Sequence, residues 1–247
     1  MNYSDLEYEI FGRQFILNFF SEKNITKLGK SKVSIIGLGG IGCPLAIYLI
    51  SSGIKNLNLF DGDIVEKSNL NRQILYTLED IGYKKTKIAK NKLLKINPKS
   101  NIKIINKNLD KSNCSYLSDS SIVIDTSDNW VSMKLINEYC VKNSIPLISS
   151  SVVGLDVEVA FFENKKNHHL CLNCLFPNKE ELELPRCDTI GVSGIAAGMA
   201  GLISAQKTIN FLINLNKESN ILNLLNVLKG DLQTIRLNNN NKCYLNN

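Results

Sequence analysis

No run in this chain approaches the roughly 18 consecutive apolar residues of a membrane-spanning helix. The first residues, Met1-Asn2-Tyr3-Ser4-Asp5-Leu6-Glu7, are acidic and have no apolar core. No export signal is therefore expected, and the expected location is cytoplasmic. An even cysteine count is also missing. There are seven: Cys43, Cys114, Cys140, Cys171, Cys174, Cys187 and Cys243. An odd number without a signal peptide points to reduced thiols rather than a disulfide framework. Cys43, Cys114 and Cys140 lie in or beside apolar segments and read as packing residues. The chain has no internal repeat and no evident linker.

The net charge of +6 comes mainly from dispersed lysines. Their densest cluster is Lys84, Lys85, Lys87, Lys90, Lys92 and Lys95, with no interleaved aromatics. That pattern fits a solvated helix face better than a nucleic-acid patch. What remains is ordinary for a globular protein: 44% hydrophobic and 21% charged residues. At 247 residues the chain can form one large α/β domain, or one domain with an appendage, around a substantial core.

One stretch organises the rest: Val33-Ser34-Ile35-Ile36-Gly37-Leu38-Gly39-Gly40-Ile41-Gly42-Cys43-Pro44. A short apolar run ends in glycines, and Leu45, Leu49 and Ile50 follow at helical spacing. This reads as strand, tight turn and helix start. Gly37, Gly39 and Gly42 fit G-x-G-x-x-G in the context that motif requires. Gly37 permits the turn, Gly39 a close backbone approach to phosphate, and Gly42 close helix–strand packing. The free N–H groups of the first helical turn form an anion site. Asp61, at the end of the strand Leu57–Phe60, lies 19 residues past Gly42. An acid at about that distance binds ribose hydroxyls. Asp61-Gly62 is also turn chemistry.

Residues 5 to 29 read as helical, with a possible break at Gly12. The first helix of the sheet should end near Ser52, closed by Gly53. Glu66 to Gln73 is a loop or short helix. Lys84 to Ile96 is a helix stopped by Asn97-Pro98. Ile102 to Ile105 and Ser121 to Asp125 are strands, Val131 to Lys142 a helix, and Pro146 to Ser149 a strand. This alternation predicts a Rossmann-like, doubly wound, mostly parallel α/β sheet. Beyond Ser151 the pattern changes. Val157 to Phe162 reads as an antiparallel strand. Gly194 to Leu215 is a long helix whose small residues allow close packing. Strands near Leu222 to Leu228 and Leu232 to Leu237 extend the sheet. Asn238 to Asn241 should be a loop.

Ligands in such sheets lie beyond the carboxyl ends of the strands, where Gly37, Asp61 and Asp128 all fall. A nicotinamide-binding domain needs only the glycines and the acid. This chain adds Arg13, Arg72 and Lys85 as cations for a polyphosphate. It also adds Asp128, a strand-end carboxylate suited to Mg2+. That set favours a triphosphate over NAD. Cys171-x-x-Cys174 has metal-ligand spacing, although one such pair is weak evidence.

The ordered motifs are Arg13-Gln14, Gly37-x-Gly39-Gly40-x-Gly42, Asp61-x-Asp63, Asn69-Leu70-x-Arg72-Gln73, Gly82-x-x-Lys85, Asp125-x-x-Asp128-Asn129 and Cys171-x-x-Cys174. In this order they resemble the ThiF/MoeB/HesA family over nearly the whole chain. The resemblance implies a single adenylation domain across 1–247. Its parts would be N-terminal helices at 1–30, a nucleotide-binding half at 31–150 and a carrier-binding half at 151–247. The implied activity is ATP-dependent adenylation of the C-terminal Gly carboxylate of a ubiquitin-like sulfur carrier, ThiS- or MoaD-like, for thiamine or molybdopterin synthesis. Cofactors would be ATP and Mg2+, with Gly37, Gly39, Gly40, Gly42, Gln73 and Asn129 also in the nucleotide site. Asp61 would hold the ribose, and Asp63 and Asn69 would line the site. Arg72 and Lys85 would bind phosphates and Asp128 would ligate Mg2+. Arg13 would reach into the neighbouring subunit of a homodimer.

Members of that family usually carry a second Cys-x-x-Cys near the C-terminus. Here the tail reads Cys243-Tyr244-Leu245-Asn246. Zn2+ would rest on Cys171, Cys174 and Cys243, with His168 or His169 as a conceivable fourth ligand. Cys187, beside Arg186, falls where the superfamily places a reactive thiol. The sulfur donor, of cysteine desulfurase or rhodanese type, should be a separate protein. Other readings are adenylation of a peptide or modified tRNA carboxylate, or a non-catalytic partner subunit.

Overall fold

A computed structural model describes residues 5–165, 170–176, 191–215, 220–237 and 243, with side chains from residue 9 onward. Two helices, α1 (Asp5–Phe15) and α2 (Glu22–Lys30), precede the sheet. The expected break is real, but it falls between Phe15 and Glu22 rather than at Gly12. Ser21 starts α2, its hydroxyl accepting from the Asn24 N–H at 3.4 Å.

Among the described residues the sheet has eight strands in the order β3-β2-β1-β4-β5-β6-β7-β8. β1 (Lys32–Ile36), β2 (Asn56–Phe60), β3 (Asn101–Ile105), β4 (Ile122–Asp125) and β5 (Leu147–Val153) are parallel neighbours. β6 (Asp156–Phe162), β7 (Ile221–Asn226) and β8 (Asp231–Arg236) continue it antiparallel. The central strands read as near-continuous Val/Ile/Leu because both faces are covered. One face packs on α2, α3 (Gly42–Ser51), α4 (Lys85–Ile96) and α7 (Gly194–Ile213). The other packs on α5 (Trp130–Lys142) and α6 (Leu172–Leu175). Val33, Ile35, Ile122 and Ile124 are fully buried on the first face, and Val123 and Phe60 are buried on the second.

Terminators act as their chemistry dictates. Gly53 takes φ +101° behind α3, and Asn214 takes φ +57° behind α7. β5 is longer than expected. It pairs with β4 only through Ser149, then runs on to Val153 against β6. That overhang is paired on one side only, and it walls the carboxyl edge of the parallel strands.

Candidate active site

The glycine turn follows β1. Gly37 sits at φ +92°, and its N–H donates to the Phe60 carbonyl at 2.9 Å. A Cβ on Gly42 would lie 2.0 Å from the Gly37 oxygen, so only hydrogen fits where α3 returns against the turn. Thr126, just past β4, directs its hydroxyl at the Ile36 and Gly37 carbonyls, 3.0 and 2.9 Å away. The buried Tyr76 hydroxyl donates to the Leu38 carbonyl at 3.0 Å. The turn is thus fixed from three sides. Among the described residues α3 has no side chain capping its start; the Cys43 N–H donates to the Gly39 carbonyl at 3.0 Å, and Pro44 has no N–H, so an anion there would meet the N–H groups of the turn just before Cys43.

Asp61 closes β2. Its two carboxylate oxygens accept the N–H groups of Leu38 and Asp63, each at 2.8 Å. Burial raises its carboxyl above the ordinary value, while nearby Lys85 and these N–H groups pull it down. A carboxylate has further lone pairs, so this brace of the turn can also accept ribose hydroxyls. Lys85 departs from the solvated-face reading. It is only 6% exposed, and its Nζ lies 2.9 Å from Asp63 Oδ2.

Asn69 is buried, and its carbonyl accepts from the Arg72 and Gln73 N–H groups at 3.1 and 2.9 Å. It shapes the turn that presents both side chains. Arg72 Nη1 donates to the Ser68 carbonyl and Asn71 Oδ1, at 3.0 and 3.1 Å. Beyond β4, Asp128 and Asn129 are exposed. The Asn129 side-chain oxygen caps α5, accepting from Val131 and Ser132 N–H groups at 2.9 and 3.3 Å.

These groups converge on a cavity of about 490 Å³. Gly37, Gly39, Gly40, Asp61, Asp63, Arg72, Gln73, Lys85, Asp128 and Asn129 all line it. Gly42 and Asn69 support it from behind without lining it. Arg13 is exposed on α1 and does not line the cavity of its own chain. Cys187, His168 and His169 lie outside the described residues. Sequence reasoning missed the far wall: Trp130, Phe176, Ser150, Ser151, Asp156 and Glu158. The rings of Trp130 and Phe176 meet edge to face at 6.1 Å. The available signal was Ser149-Ser150-Ser151, a polar run closing an apolar strand.

A second cluster lies behind α5. The sulfurs of Cys171, Cys174 and Cys243 all fall within 4.8 Å of one another. Cys171 Sγ is 3.9 Å from Cys174 Sγ and 3.6 Å from Cys243 Sγ. The Cys174 thiol draws Cys171 down to about 5, helped by the Cys174 N–H and the Asn137 amide, and Cys174 itself is pushed up. Four thiolates about 2.3 Å from a tetrahedral zinc would stand about 3.8 Å apart. The two distances from Cys171, 3.9 and 3.6 Å, match that spacing.

Comparison with known proteins bears on the family. The sequence pattern of the ThiF family matches residues 11–245. The sulfur carrier protein ThiS adenylyltransferase of Escherichia coli is 31% identical over 97% of this chain and 95% of its own length. The adenylyltransferase and sulfurtransferase MOCS3 of Drosophila virilis is 37% identical over 83% of this chain. This chain spans only about half of that relative's length, 46%. Among solved structures, E. coli MccB with ATP shares the fold. Its TM-score is 0.79 at 20% identity, over 99% of this chain and 82% of that one.

Proposed function

The chain belongs to the ThiF family, and on that footing we propose that it adenylates the terminal carboxylate of a ubiquitin-like sulfur carrier ending in Gly-Gly. One observation carries the reading: phosphate-type, ribose-type and cationic groups from four separate segments meet in a single cavity. A carboxylate oxygen of the carrier attacks the α-phosphorus of ATP. The bond from that phosphorus to the bridging oxygen breaks, and pyrophosphate leaves with the electron pair. The chain's own task is placement and charge stabilisation, which is where most of the rate in such transfers originates.

The glycine turn at the start of α3 cradles the phosphates, and Asp61 takes the ribose. Asp63 lines the site and, with Asn69, sets up the cations. Lys85 and Arg72 meet the charge that grows at the α-phosphate. Asp128 is the carboxylate placed to hold Mg2+, which neutralises phosphate charge when bound. Gln73 and Asn129 complete the nucleotide-facing surface. Arg13, remote from its own cavity, serves the site of a second copy in a homodimer.

Zinc on Cys171, Cys174 and Cys243 ties the segment near α6 to the C-terminal residues. Cys187 is the thiol available for transfer chemistry after adenylation. The carrier is ThiS- or MoaD-like, the sulfur donor is a separate protein, and the expected location is the cytoplasm. A second reading keeps the chemistry and changes the acceptor to a peptide carboxylate.

The direct test incubates the chain with MgATP and each carrier type, then weighs the carrier by intact mass spectrometry. Addition of AMP is expected with one of them. Unchanged mass with both, from folded protein, overturns the carrier reading.

A further inference from the structure

Ser150 and Gln73 line the cavity, and each carries a buried side-chain oxygen, Ser150 Oγ and Gln73 Oε1, with no hydrogen-bond partner among the described residues. Ser150 is 1% exposed and Gln73 4%. Buried polar groups are normally satisfied, and an orphan costs stability. Two such orphans in the lining residues of one cavity mark positions that a ligand could complete.

Their placement says which ligand. β2, carrying Asp61, and β5, carrying Ser150, stand three strand intervals apart in the sheet. At about 4.8 Å per interval this is about 14 Å. A nucleotide held by its ribose at β2 lays its phosphates across the glycine turn after β1 toward Asp128 after β4. Ser150, on β5, is one strand further on. Its side chain shares the face of Ile148 and Val152, which pack in the core with α7. Val192 and Ala197, on either side of the start of α7, also line the cavity. That helix runs from Gly194 to Ile213, so its N-terminal dipole favours a negative group there. Gln73 lines the same cavity, its amide nitrogen 3.8 Å from where a Cβ on Gly39 would be.

We propose that Ser150 holds the acceptor's last residue, donating its hydroxyl hydrogen to the terminal carboxylate. This rests on the adenylation reading and adds a group that selects a free main-chain carboxyl terminus. The Ser150 bond orients the carboxylate oxygen that does not attack, leaving the other in line with the α-phosphorus. Binding a charged acceptor through this hydroxyl is worth about tenfold or more in affinity.

The test is acceptor-dependent exchange of labelled pyrophosphate into ATP, using a Gly-Gly-ending carrier and its C-terminal carboxamide as binding control. Ser150→Ala is expected to raise the KM for carrier about tenfold while the KM for ATP stays within about twofold. Ser150→Thr should restore most of the loss. Carrier over carboxamide discrimination in binding should shrink in Ser150→Ala. Because the substitution removes an unsatisfied buried hydroxyl, its Tm should equal or exceed that of the wild type. An unchanged carrier KM in Ser150→Ala, or an equal rise in the KM for ATP, overturns the assignment of Ser150 alone. No exchange by the wild type with any carrier overturns the adenylation reading beneath it.

Discussion

Asp125 ends β4 at 1% exposure, and burial raises its carboxyl from the ordinary 3.8 to about 6. The Ser127 N–H and hydroxyl, 2.9 and 2.6 Å from Oδ1, offset part of that cost. Its folded-state value is the higher one. Between about pH 4 and 6 the folded chain therefore holds a proton that the unfolded chain has released. This group's contribution to stability falls as pH rises through that window. At neutral pH it disfavours folding by about 3 kcal/mol. Asp125→Asn keeps an acceptor for Ser127 and removes the charge. Urea unfolding from pH 4 to 7 should show a higher midpoint for the variant at pH 7 and a flatter pH profile. An identical profile contradicts the assignment.

At this scale the sequence was readable where spacing carried the chemistry, as with Gly37, Asp61 and Asp128. It was not readable where burial decided. Lys85 was named as a phosphate cation, but its burial and its pairing with Asp63 could not be seen in a row of lysines. Ser150 fell one residue past the expected strand, and a hydroxyl's lack of a partner exists only in three dimensions.

The crossing of α7 over the start of α3 decides how firmly the phosphate turn is held. A Cβ on Gly201 would lie 2.5 Å from the Ile41 carbonyl and 2.8 Å from Pro44 Cγ. Gly201→Ala should push the helices apart, destabilise the chain by about 1–3 kcal/mol and weaken ATP binding. Gly198, one turn earlier, would place its Cβ within 4 Å of nothing. Gly198→Ala should leave ATP binding intact and raise stability by up to about 1 kcal/mol, since alanine is the better helix former. Denaturant midpoints and ATP titrations on the two variants check the pair. Equal behaviour contradicts the packing account. The run of small residues announced close packing in the sequence. Which glycine sits at the contact depends on the crossing point, and that is set by tertiary packing alone. The same holds for α5. Its N-cap, Asn129, was legible as a motif residue, but its capping role appears only once the helix start at Trp130 is fixed.

Across the whole molecule the mostly parallel, doubly wound sheet was legible in the alternation of strands and helices, and the change to antiparallel strands after β5 was visible in the altered pattern. Contacts between distant segments were not. Cys171 and Cys243 are 72 residues apart, yet their two sulfurs meet at 3.6 Å. With zinc bound, the cluster should act as a staple. Elemental analysis should find about one zinc per chain. Stripping it with a chelator, or Cys243→Ser, should lower Tm by several degrees. A chain that melts identically with and without metal contradicts the staple.

The central claim is that one cavity at the carboxyl edge of the sheet binds ATP and activates a carrier's carboxylate. Carrier-dependent exchange of labelled pyrophosphate into ATP measures that step in isolation, with Asp128→Ala run beside the wild type. The account predicts exchange only when carrier, Mg2+ and ATP are all present, and a loss of at least about a hundredfold in the variant. Exchange that ignores the carrier, or survives intact in Asp128→Ala, contradicts it.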